Sequence, residues 1–269
     1  MRLTAFPPSR ALAPYVELIW MLDGRPTYHH EKVLPNGALE LIFNLGSPHK
    51  VVDPTDFRRF TLYRKSWVAG LQEKFLIIQA THGSNLVGVR FRPGGGYPFL
   101  HFPIAELTNR VVECGDLLTS WASRVRDRLL ETDTPQERLP ILENALLARI
   151  RPDLSDPAVS HAAESLSRSS GRVPIHAMAA RLGMTHKTLI RRFRRTVGVA
   201  PKTLARIERF QSVIRRMRDR RVADWADEAA AGGYYDQAHL IHDFRELAGA
   251  TPVEYLRTRD ADENHIIVD

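Results

Sequence analysis

Nine positions in the C-terminal third of the chain recur in register, and this repeat limits the available folds more than any other feature. Ile175, Ala179 and Gly183 return as Trp225, Ala229 and Gly233, each 50 residues later. Thr185, Leu189, Phe193, Gly198, Pro201 and Leu204 return as Asp236, Leu240, Phe244, Gly249, Pro252 and Tyr255, each 51 later. The offset changes once, between Gly183 and Thr185, at a turn that tolerates one more residue. The residue types describe a helix-turn-helix in each copy. A small residue (Ala179, Ala229) lets another helix cross closely, and a glycine (Gly183, Gly233) ends the first helix where the backbone needs positive φ. Thr185 and Asp236 are N-caps of the second helix. Leu189 with Phe193, and Leu240 with Phe244, are four apart and hold that helix on the core. Gly198 and Gly249 stop it, and Pro201 and Pro252 start the next element.

Between the copies, Leu204, Ile207, Phe210, Ile214 and Met217 are three or four apart, which predicts a long helix over 201–218. Two helix-turn-helix units on one rigid arm would suit adjacent major grooves on one DNA face, about 10 base pairs apart.

The charge agrees with that partner only when it is placed along the chain. The 269 residues carry a net +7, which alone could mean an acidic partner or merely a soluble surface. From Arg172 to Arg221 there are 15 Lys and Arg against two acids, Glu208 and Asp219, a balance of +13. From Val222 to Asp269 the balance is −8, and residues 1–171 contribute +2. Thirteen of those 15 bases are Arg, which suits bidentate phosphate and guanine contacts. No apolar run approaches the roughly 18 residues of a membrane span. Met1 to Pro8 lacks signal-peptide chemistry, and the single Cys114 fits a reducing, cytoplasmic setting.

Residues 1–110 read as β-rich. Leu39, Leu41 and Phe43 alternate with Glu40, Ile42 and Asn44 after a hairpin-like Pro35-Asn36-Gly37 turn. Short strand-like runs follow at 66–70, 75–80 and 86–92. From Asp116 the period turns helical: Leu117, Trp121, Val125 and Leu129 form one stripe, and Leu139, Leu142, Leu146 and Ile150 another. A further helix spans about 157–166. The expected class is α+β: a β-rich N-terminal domain with a helical extension, then an all-α tandem helix-turn-helix domain. The expected division is 1–165 (β-rich to about 110, helical over 116–166), 166–260, and a tail at 261–269.

At Leu189-x3-Phe193, Gly198-x2-Pro201 and Gly233-Tyr234-Tyr235-Asp236-Gln237-Ala238-His239 the chain resembles the DNA-binding domain of AraC-type transcriptional regulators, over about 165–258. Leu34-Pro35-Asn36-Gly37, Glu40 to Asn44, Gly88 to Gly95 and Glu106 to Arg110 resemble a functionally uncharacterised N-terminal domain found fused to such domains. That second resemblance supports the layout and supplies no ligand. The two together imply a regulator whose partners are double-stranded DNA, a small-molecule effector and, for an activator, RNA polymerase.

With Leu189 and Phe193 facing inward, His186, Lys187, Ile190 and Arg191 point to the groove. Arg194 and Arg195 point to the DNA backbone or solvent. The resemblance puts base contacts on Lys187, Ile190 and Arg191. In the second copy the exposed set is Gln237, Ala238, His239 and His242, beside Asp243 and Glu246. This set is less basic, so the first unit is expected to supply most of the affinity. A ligand pocket in the N-terminal domain would draw on Glu40, Asn44, Arg90 and Arg92, with an ion pair tying two strands as the competing reading. The helices at 116–130 and 135–150 offer a surface for a homodimer, or pack on their own β domain.

No cofactor, metal site or catalytic residue is expected. His239 and His242 with Asp236 have metal-ligand spacing, but a groove-facing or solvated pair explains them more simply. His29-His30-Glu31 reads as a polar loop. Gly94-Gly95-Gly96 lacks the Gly-Lys-Ser/Thr of a phosphate loop, and the acids Glu113 and Asp116 beside Cys114 oppose a reactive thiolate. Two rivals stay open: an N-terminal enzyme localised by the DNA-binding part, and a constitutive binder with an N-terminal interaction module.

Overall fold

The computed structural model describes residues 1–26, 28–80, 83–218, 224–259 and 264–268. The last charges of the basic block, Asp219, Arg220 and Arg221, and the first part of the expected tail lie outside the described residues. The strands are β1 (Arg2–Phe6), β2 (Val16–Gly24), β3 (His30–Val33), β4 (Leu39–Asn44), β5 (His49–Asp53), β6 (Asp56–Tyr63), β7 (Ser66–Ala69), β8 (Leu76–Ala80), β9 (Ser84–Phe91), β10 (Val111–Glu113) and β11 (His265–Ile267). They form two antiparallel sheets, β1-β2-β9-β4-β7-β10 and β11-β3-β8-β5-β6. Three runs read from the sequence became strands: β7, β8 and β9.

The alternation along β4 has a layered cause. Leu39, Leu41 and Phe43 face one way, into a core shared with Ile19, Met21, Val68, Val87, Val89 and Phe91. Ile42 faces the other way, onto Trp67, Leu86 and Tyr63 between the sheets. The first sheet is therefore covered on both faces, which is why β4 is apolar at four of its six positions. The Pro35-Asn36-Gly37 segment is not a hairpin turn, because β3 and β4 lie in different sheets.

Helices α1 (Tyr97–Leu100), α2 (Cys114–Leu118), α3 (Ser120–Leu130) and α4 (Pro135–Leu147) close the outer face of the first sheet. Val125, Leu129, Leu142 and Leu146 are buried in that same core. Arg126 donates to Asn44 O at 2.7 Å, and Arg138 to the Asn85 side chain at 3.2 Å. The apolar stripes offered as a homodimer surface are thus spent within the domain. Thr134 and Glu137 cap α4 reciprocally as a capping box.

Cys114 is buried, and that burial pushes its thiol up to about 12, with the Glu113 carboxylate adding to the shift. Iodoacetamide at pH 8 is expected to leave it unmodified in native protein and to label it in urea. Rapid native labelling would contradict this environment.

The helical part comprises α5 (Pro157–Arg168), α6 (Ile175–Arg181), α7 (His186–Val197), α8 (Pro201–Arg218), α9 (Trp225–Gly232), α10 (Gln237–Ala248) and α11 (Pro252–Thr258). Val159, Ala162, Ala163 and Leu166 of α5 sit in one core with Phe193, Phe210 and Phe244. The cut expected at 165/166 therefore falls inside a helix that packs with the C-terminal part. Within the expected tail, β11 joins the second sheet and pairs with β3, Ile266 opposite Lys32. His29-His30-Glu31 is accordingly no polar loop. Glu31 is buried in β3, and its carboxylate accepts from Tyr28 OH at 2.8 Å and faces His265 Nδ1 at 2.6 Å. Among the described residues no helix is long and apolar enough to cross a membrane.

Candidate nucleic-acid interface

The two copies of the repeat fold alike. Thr185 Oγ1 accepts from Thr188 N at 3.1 Å and starts α7; Asp236 Oδ1 accepts from His239 N at 2.8 Å and starts α10. Each helix runs 12 residues and ends at its glycine. Leu189, Phe193, Leu240 and Phe244 are fully buried. Phe244 meets Phe210 of α8 edge-on at 4.9 Å and Tyr255 of α11 at 5.9 Å. The long helix between the copies is α8, with Leu204, Ile207, Phe210, Ile214 and Met217 all buried.

On the outer face of α7, His186, Lys187, Arg191 and Arg194 are exposed and Ile190 is half-buried. Arg192 is taken inward: its guanidinium is held by both oxygens of Asp156, the N-cap of α5, at 2.5 and 2.7 Å. Arg195 is exposed, as expected, but it also has a partner outside the helical part. Its Nε donates to Tyr97 OH at 2.7 Å and its guanidinium lies over the Tyr97 ring, so it faces the N-terminal domain. A residue 98 positions away sets this direction, which no local pattern could reveal.

On α10, Gln237, Ala238 and His242 are exposed, and His239 is half-buried with its ring edge-on to Tyr234. Tyr235, quoted above only as part of the family motif and not among the interface residues, is 93% exposed immediately before the α10 cap. Its signal was the Tyr234-Tyr235 pair at the turn: only one of two adjacent rings can enter the core, and Tyr234 does. Three acids of this copy pair with arginines of α8. Arg206 of α8 pairs with Asp243 at 2.8 Å and also with Glu246, and Arg216 pairs with Glu228 at 2.7 Å. Basic block and acidic segment are in part each other's partners.

Residues 178–258 match the family described as a Helix-turn-helix domain, of the AraC type. The C-terminal part of the chain is an AraC-type helix-turn-helix domain. A domain of this type supports a DNA-binding transcription regulator. Residues 4–113 match the family described as Domain of unknown function (DUF6597). Among curated proteins none matches the regulator. Solved structures similar to it include ToxT from Vibrio cholerae, at 13% identity over 89% of this chain and 98% of that one, with a TM-score of 0.48. ToxT of strain O395 bound to (E)-4-(8-methylnaphthalen-1-yl)but-3-enoic acid is 14% identical over 89% and 98%, with a TM-score of 0.49. The AraC-like transcriptional activator CuxR is 14% identical over 78% and 94%, with a TM-score of 0.25.

The four pocket candidates of the N-terminal domain are each engaged by neighbouring groups. Glu40 and Arg90 are opposite each other on β4 and β9, joined by a 2.7 Å ion pair. Asn44 is fully buried, its amide donating to Ser47 O and Arg64 O and its oxygen accepting from Gly46 N. Arg92 donates to Ala13 O at 2.8 Å. Glu40 and Arg90 make the ion pair between strands that the competing reading anticipated, whereas Asn44 and Arg92 bond backbone carbonyls. For the enzyme rival, the nearest arrangement is Ser84 Oγ at 3.2 Å from His49 Nε2. Both are buried, and burial pushes the His49 pKa down, which disfavours a charged imidazole. Among the described residues no group of three or more His, Cys, Asp or Glu could hold a metal ion.

Proposed function

We propose that the regulator reads specific DNA sequences with α7 and α10 in adjacent major grooves. Lys187 and Arg191 supply hydrogen bonds to base edges, Ile190 packs on a thymine methyl, and His186 and Arg194 meet phosphates. Gln237, Ala238, His239 and His242 form the second reading face, and Tyr235 adds a phenol within reach of the backbone. Arg195 reaches DNA only after leaving Tyr97. The observation that carries the reading is the pair of capped, glycine-terminated helices with polar outer faces and buried Leu-x3-Phe inner faces.

Control by a small-molecule effector belongs to the same reading. A groove of about 430 Å³ between Tyr97, Ser155, Asp156, Arg192 and Arg195 touches α7 and the N-terminal domain together, so a ligand there would bias their arrangement. RNA polymerase is the further partner if the regulator activates.

The test is selection of random duplexes by the purified full chain, followed by sequencing of the retained fragments. Two sequence elements about one helical turn apart are expected. Recovery of unbiased sequence would sink the proposal.

A further inference from the structure

The repeat places Gly198 and Gly249 at the same position, the residue that ends each reading helix. The N-terminal domain touches both of them. Thr108, just after the turn of 3-10 helix at Ile104–Leu107, donates from Oγ1 to Gly198 O at 2.8 Å. Lys32 on β3 donates from Nζ to Gly249 O at 3.0 Å and lies over the Phe75 ring. The approach is close in both cases. A Cβ at Gly198 would sit 3.1 Å from Ile104 Cγ2, and one at Gly249 would sit 2.3 Å from Phe75 Cε1.

A third contact lies between these two, on the arm that joins the copies. Gln211 of α8 donates to Pro35 O at 2.6 Å and to Asn264 Oδ1 at 2.7 Å. Gly37 abuts Leu204 and Ile207, and Leu34 is buried in the helical core. After α11 the chain then returns to pair with β3, the strand that carries Lys32. Two of the segments by which the N-terminal domain resembles its family, Leu34 to Gly37 and Glu106 to Arg110, therefore supply contacts to the DNA-binding domain.

Geometry leaves the reading faces open. Lys187 and Gly198 are 11 residues apart, roughly 16 Å along a helix at about 1.5 Å per residue. The grips are at the far ends of α7 and α10 from their first exposed residues.

We propose that the N-terminal domain is a spacing gauge: by gripping equivalent caps of α7 and α10 and the middle of α8, it fixes the separation of the two reading helices. This rests on the DNA reading above for its purpose, though not for its geometry. A gauge makes the protein intolerant of operators whose two elements are shifted, because one helix cannot move without breaking its cap contact.

The experiment uses the full chain and the double variant Thr108→Val, Lys32→Met, which removes both donors while keeping side-chain bulk. In DNA-free protein, spin labels on Lys187→Cys and Gln237→Cys report the distance between the helices by pulsed EPR; Cys114 is buried and stays unlabelled. One narrow distance population is expected for the parent and a broad one for the double variant. On duplexes with one or two base pairs inserted between the elements, the parent is expected to lose at least tenfold in affinity and the variant less than threefold. Unchanged distance width and unchanged spacing preference in the variant would overturn the gauge. If the double variant does not fold, each single variant should broaden the distance, and two unbroadened singles would overturn it equally. Failure of the parent to bind any duplex would refute the DNA reading while leaving the EPR result to decide the gauge.

Discussion

Alanine at Arg191 is expected to weaken binding to the regulator's own operator by roughly 5- to 150-fold, the range that corresponds to about 1–3 kcal/mol of base discrimination. Arg191 is exposed on α7, one turn after Lys187, and no ion pair to it occurs among the described residues. Its planar fork is therefore available to a guanine edge. Alanine at His242 is expected to cost less than threefold, near the value of an exposed polar contact. His242 Nε2 lies 3.5 Å from Glu246, whose carboxylate is itself held by Arg206, so a fixed negative group stands beside this histidine. That group opposes approach to phosphate. Both variants are compared by titration of one labelled operator at one salt concentration, because electrostatic binding shifts steeply with salt. A larger loss at His242 than at Arg191 would invert the proposed division of labour.

The second large effect is structural. Gly171→Ala is expected to destabilise the helical domain by about 2–6 kcal/mol, combining left-handed backbone strain with overpacking. Gly171 has φ +70, and its N–H donates to Leu166 O at 2.7 Å to close α5. An added Cβ would stand 1.9 Å from the carbonyl oxygen of Ala205 in the second turn of α8. Backbone cannot rotate aside as a side chain can, so the turn must lift from α8. That movement pulls Val159, Ala162 and Leu166 from the shared core. At about 4–8 °C per kcal/mol for a domain near 100 residues, the thermal midpoint should fall by at least about 8 °C. A fall of under about 2 °C would show that the chain relieves the contact cheaply and that α5 is not held as described.

How much of this was legible beforehand varies by residue. The caps Thr185 and Asp236 were visible because an N-cap acts on a backbone N–H only three residues on. The inward Leu-x3-Phe pairs were visible because a spacing of four repeats a helical face. Glu40, Asn44, Arg90 and Arg92 were less so. Strand periodicity shows which residues share a face, but only the register of β4 against β9 puts Glu40 opposite Arg90 and turns a candidate pocket into an ion pair. Tyr235 was missed because its exposure depends on which of two adjacent rings the core accepts.

The two similar helix pairs, the arm between them and their polar outer faces follow from local pattern, since caps, glycine stops and i, i+4 packing act within one or two turns. Where the charge goes depends on long-range docking. Arg206 meets Asp243 across 37 residues, Arg192 meets Asp156 across 36, and Arg195 turns to Tyr97 across 98. The tail likewise became a strand only because β3 offered an unpaired edge. Contacts of that range depend on how separately formed elements dock, and a one-dimensional pattern does not encode which charge will find which partner.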